Sequence, residues 1–154
     1  MIQGRGYYIP INGLSTGTSN GAHLIEFRAS ANIALAVASV QGFYRNGDAG
    51  LNATYVIRRA SAAAAGNAIT LGKSQNGHPT AVATASDTPT SVTISPDVSS
   101  IAFGGNGGSS WSWFPSVEEH ILILPPSGIA VLTVVVAPTS ALTMQGAIHV
   151  VEIG

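Results

Sequence analysis

Four histidines, seven carboxylates and no cysteine make up this chain's stock of metal ligands and proton carriers. The one grouping with ligand-like spacing pairs Glu118 and His120, two apart and so on one face of a strand, with His149 and Glu152 further on. If those two segments were neighbours, they would offer a mixed imidazole and carboxylate site. Metalloenzymes on β-scaffolds present His-x-His beside a Glu, and no His-x-His occurs. The plainer expectation is a strand-end histidine satisfied by backbone or solvent, with no metal and no cofactor. Acid–base catalysis needs a carboxylate or imidazole sheltered in a pocket. Asp48, Asp87 and Asp97 instead sit in Asn-Gly-Asp, Ser-Asp-Thr-Pro and Ser-Pro-Asp settings, where turn hydrogen bonding accounts for them. Glu26 falls on the polar face of an alternating segment, and Glu119 has no sheltered setting of its own. We expect no catalytic residue and no enzyme.

The remaining motifs fail on spacing or context. Gly72-Lys73-Ser74 looks like the end of a phosphate-binding loop, but Asn67 stands where that loop needs its first Gly. The Gly-rich run before Ser109-Ser110 does not spell the Gly-x-Ser-x-Gly elbow. Asn52-Ala53-Thr54 matches a glycosylation acceptor. The start (Met1-Ile2-Gln3-Gly4-Arg5-Gly6) lacks the apolar core of a secretory signal, so synthesis in the cytoplasm is expected. Trp111 and Trp113 share a strand face, with Phe114 next to them. Such a pair can fill a core, anchor an interface or stack on sugar rings.

The elements that must carry these residues read as strands. The organising stretch is 118–153, where three Ile-, Val- and Leu-rich segments are bounded by Pro or Gly. In the middle one, Val131, Thr133 and Val135 point one way and Leu132, Val134 and Val136 the other. Both faces are largely apolar, which places the strand inside a sandwich, at a subunit contact, or both. Upstream, Ile25, Phe27 and Ala29 alternate with Glu26 and Arg28, giving a half-exposed strand. Residues 33–40 are Ala-rich, but an exposed helix would carry charge, so a strand is expected. Asn46-Gly47 between two apolar runs predicts a hairpin. About eight to ten short strands with frequent turn signals point to an all-β, antiparallel two-sheet sandwich in one domain, with a jelly roll fitting best.

Composition narrows the function further. Only 8% of the 154 residues are charged and the net charge is −1, against about 25% charged in an average soluble domain. No field exists to draw in nucleic acid or an anionic membrane, and no apolar run reaches membrane-spanning length. Depletion of charge along the whole chain is what surfaces covered by neighbouring subunits show.

Several stretches together resemble small structural proteins of tailed bacteriophages. They are Arg58-Arg59-Ala60 followed by an Ala/Gly loop, Leu71-Gly72-Lys73, Pro79 and residues 81–85. Trp113, the segment 118–124 feeding the 125–128 turn, the strand reaching Ala137-Pro138 and residues 146–152 complete the likeness. It covers about the last two-thirds of the chain and departs from the family in having only Glu152 where a more acidic terminus is expected. The resemblance implies a jelly-roll cement or decoration subunit of the virion, on the capsid surface, bound to the major capsid protein and to itself, often as a trimer. Interface residues would be Tyr7, Tyr8 and Ile9, on an N-terminal arm (1–11) able to add as a strand to a neighbour, together with Trp111, Trp113 and Phe114. The competing classes are a carbohydrate- or host-surface-binding module using Trp111 and Trp113, and a jelly-roll enzyme using the His/Glu set.

Overall fold

A computed structural model describes residues 4–47, 50–99, 102–116, 120–126 and 128–154. Four long strands come first: β1 (Gly4–Ser15), β2 (His23–Arg28), β3 (Ala34–Tyr44) and β4 (Asn52–Ala64). Short ones follow: β5 (Asn67–Ile69), β6 (Gly72–Lys73) and β7 (Thr84–Asp87). Then come β8 (Thr90–Ser99), β9 (Phe103–Asn106), β10 (Ser110–Trp113) and β11 (Ile121–Ile123). The chain closes with β12 (Ile129–Val136) and β13 (Thr143–Ile153). Among the described residues there is no helix.

Two antiparallel sheets form the expected sandwich. The first runs β10-β3-β13-β1-β6, with β11 also on β3, and the second runs β5-β7-β2-β12-β4-β8, with β9 also on β4. The pairing is nested: β1 with β13, β2 with β12, β3 with β10 and β4 with β9. Successive pairs alternate between the two sheets, as in a long hairpin rolled up on itself. The five strands beyond those eight are short additions at the rims, apart from β8, which runs along β4.

The inner faces follow from two-residue alternation. On the first sheet the inward rows are Tyr7-Val150-Val37-Ile121, Ile9-Ile148-Val40-Trp113 and Ile11-Gly146-Gly42-Trp111. On the second, Ile25, Leu132 and Ile57 lie opposite one another, with Phe27 and Ala130 beside them. All these large apolar side chains belong to one buried core. In β12, Leu132 and Val134 join it, while Val131 packs outward with Ala60 and Ile129 in a second, smaller cluster. Both faces of this strand are covered, as its composition requires. The Ala-rich run at 34–40 is strand, and the alanines at 62–64 continue β4 rather than forming a helical turn.

Three expectations need correction. The Asn46-Gly47 segment is not a hairpin, because β3 and β4 lie in different sheets. Instead Asn46 Oδ1 accepts the Thr143 N–H at 2.6 Å, fastening the end of β3 to the start of β13. Residues 4–11 are not a free arm: each is paired with β13, and Tyr7, Ile9 and Ile11 are core residues. Glu26 is buried rather than exposed. Its carboxylate accepts from Arg28 Nε and Nη2 at 3.0 and 2.8 Å and from the Ser86 hydroxyl at 3.0 Å. The sequence alternation was real, but Ser86 of the neighbouring β7 and Arg28, itself held by Ala63 O of β4, enclose the carboxylate on that face.

Candidate functional site

The outward residues of the first sheet fall into three rows across the strands. The first is Tyr8-His149-Ser39, the second Pro10-Ala147-Gln41-Ser112, and the third Asn12-Gln145-Phe43-Ser110. Small side chains in the middle row, Ala147 and Ser112, leave a trough of about 620 Å³ between bulkier ends. Phe114, just past β10, adds to its wall. Tyr8, Phe43 and Phe114 are 42%, 47% and 65% exposed, high values for such large rings. Among the described residues, no Asp, Glu, Lys or Arg lines the trough.

One wall is held in place by ring contact. The Tyr8 and His149 rings stack with centroids 4.9 Å apart. Burial, and secondarily the neighbouring His120, pushes the His149 imidazole below its ordinary value, so the ring is neutral at neutral pH and able to donate or accept a hydrogen bond. At the other wall Phe43 has no bulky partner in its row except Gln145, whose side chain is engaged with Asn12 and Gly13.

The six residues singled out in the sequence divide cleanly between inside and outside. Tyr8 and Phe114 are exposed at the trough, but Tyr7 and Ile9 are fully buried. Tyr7 hydroxyl donates to Pro79 O at 3.1 Å. Trp111 and Trp113 face inward and form an aromatic cluster with Tyr44, Tyr55 and Phe103. At its centre the Tyr44 and Tyr55 hydroxyls share a hydrogen bond of 2.9 Å. With 5% and 6% exposure, neither indole presents a face on which a sugar could stack. The spacing rule was right that the two share a face; nothing in the sequence said which one. Phe43 was missed because it stands beside Tyr44, and two adjacent aromatics do not say which of them faces out.

Of the metal grouping weighed above, His120 lies near enough to His149 to repel it, but Glu152 does not join them. His149 points outward and Glu152, three positions on, points inward, as odd spacing in a strand dictates. Glu152 Oε1 accepts the backbone N–H groups of Val82 and Ala83, both at 2.7 Å. Glu118, Glu119 and Asp48 lie outside the described residues. Among those described, no three His, Cys, Asp or Glu side chains converge on a point. Asp87 takes the turn role expected of it, accepting from Asn67 Nδ2 and Thr88 Oγ1. Gly72-Lys73 is a two-residue strand on β1, and Ser74 donates to Gly6 O. No helix N-terminus follows it to receive a phosphate.

No family model, curated protein or solved structure matches the chain. The fold assignment therefore rests on the strand order alone, and function must be argued from the surface.

Proposed function

We infer that this protein is a structural assembly subunit, of the kind that cements or decorates a bacteriophage capsid by binding the major capsid protein and further copies of itself, as a trimer on the virion surface. The observation that carries this reading is where the charges are. Among the described side chains, Arg5, Arg45 and Lys73 are the exposed ionic groups, and Arg58, Arg59 and Asp87 are half-buried. Glu26 and Glu152 are buried, and Arg28 is tied to Glu26. An isolated domain ordinarily surrounds itself with mixed charge to stay dispersed, whereas the centres of protein contacts are depleted of it.

The exposed apolar side chains are also spread over several sides. Leu124 and Val136 lie near opposite ends of β12, Val82 lies beside the loop held by Glu152, and Phe114 follows β10. Contacts on several sides suit a subunit seated among neighbours, and several weak contacts engaged together reach high affinity without any one strong site.

Sedimentation equilibrium over a wide concentration range tests this directly. The expected result is a homo-oligomer that persists in high salt, since few ion pairs would be screened. A monomer at millimolar concentration that also fails to co-sediment with capsid shells overturns the reading.

A further inference from the structure

We propose that the trough on the outer face of the first sheet is a binding site for a neutral oligosaccharide. This goes beyond assembly and concerns a face that the charge argument did not use. Its chemistry selects the ligand. Among the described residues the lining has no Lys or Arg to favour a phosphate or a sulfate and no carboxylate to pair with an amine. What it offers is aromatic surface at both ends and uncharged donors and acceptors between: the Gln41 amide, the hydroxyls of Ser39, Ser110 and Ser112, and the His149 imidazole. A pyranose ring presents the matching pattern, with C–H faces that pack on aromatic rings and a rim of hydroxyls that exchange hydrogen bonds with amides and alcohols.

The dimensions and rigidity agree. The Tyr8 row and the Phe43 row are four residues apart along β3, about 14 Å, which makes an elongated site closed by an aromatic ring at each end. Its floor is a paired β-sheet, so little order need be imposed on the protein when a ligand arrives. Tyr8 stacks on His149, the next residue of its row toward β3, so the two rings together form that end of the trough. A protein segment would fit less well, because an apolar peptide would bury Ser39, Gln41, Ser110 and Ser112 against unmatched surface.

The test is titration calorimetry of the full chain with neutral oligomers of glucose, galactose, mannose and N-acetylglucosamine, with sialylated and sulfated glycans as controls. At least one neutral oligomer is expected to bind with a Kd at or below about 1 mM. Phe43→Ala and Tyr8→Ala should each weaken it about fivefold or more, and Val82→Ala should leave it unchanged. Gln41→Ala, a change on the solvent side of a paired strand, gives a second reading should an aromatic variant fail to fold. Absence of binding across the neutral panel, equal binding of the acidic glycans, or insensitivity to these substitutions overturns the proposal. So does a shift in oligomeric state on Tyr8→Ala or Phe43→Ala, which would assign the trough to a second copy of the chain. Because sedimentation is run on the same samples, loss of sugar binding with the oligomer intact is distinguishable from failure of the assembly reading.

Discussion

Glu152 Oε1 accepts the backbone N–H of Val82 at 2.7 Å, across 70 positions of sequence, and the next N–H, that of Ala83, at the same distance. The carboxylate is 3% exposed, so these charge-assisted bonds are made where water cannot replace them. Glu152→Ala leaves two N–H groups without their acceptor and should lower unfolding free energy by about 2–4 kcal/mol. Glu152→Gln keeps an acceptor and should cost about half as much. Urea unfolding of the two variants checks both the loss and its order.

Stability should also fall as pH drops below neutrality, through His149. Burial, followed by repulsion from His120, holds this imidazole below its ordinary value of 6.5. The unfolded chain therefore takes up the proton first, near pH 6.5, while the folded protein keeps the ring neutral. The contribution is complete above that value and is lost as pH falls from it toward the lowered folded value. Urea midpoints of the parent should decline between about pH 7.5 and about pH 5, and His149→Gln should decline less over that interval. An equal decline in both would assign the effect to His23, whose imidazole is likewise lowered by burial and then by Arg58.

Packing around Trp111 predicts a third outcome. In the inward row Ile11-Gly146-Gly42-Trp111, two adjacent glycines make room for the indole. A Cβ added at Gly42 would stand 2.6 Å from Trp111 Cζ2 and 2.8 Å from Gln145 O. At Gly146, with φ at +157°, it would overlap Gln41 O. Gly42→Ala should cost about 1–3 kcal/mol and shift tryptophan emission toward that of a more solvated ring. Fluorescence during denaturation reads both.

Removing residues 1–11 should abolish folding rather than trim an appendage. It deletes eight of the eleven β1 residues that pair with β13 and both that pair with β6, and it removes Tyr7, Ile9 and Ile11 from the core. Tyr7→Ala alone should cost about 3–5 kcal/mol. Circular dichroism and thermal unfolding separate a collapsed truncation from a folded one.

The fold was legible because each strand announces itself locally. Pro, Gly and Asn-Gly bound short β-branched runs, and the doubly apolar 129–136 segment could only be an interior strand. What a single strand does not encode is which way it faces and which strand it meets. The Ile25/Glu26 alternation implied an exposed carboxylate, but Ser86 of the adjoining β7 and the Arg28 side chain enclose Glu26 on the outer face of the sheet. Tyr7-Tyr8-Ile9 looked like one sticky patch, yet the pleat sends Tyr8 out and its two neighbours in. Asn46-Gly47 has the chemistry of a tight reversal, but the Asn46 side chain is spent on the loop before β13. The trough is the least legible feature. It exists because Tyr8, His149, Gln41 and Phe43 come from three strands, and no window of sequence contains them together.

The order of the first sheet has a bearing on how the protein is made. β13 lies between β1 and β3, so those two strands, emerging early from the ribosome, have no partner along their facing edges until the last strand is delivered. Their hydrogen-bonding groups and their Ile- and Val-rich sides wait exposed through most of synthesis, a state open to mispairing between nascent chains. Refolding by dilution should then be slow, because closing the sheet means bringing β1 and β13 together across a long stretch of sequence first.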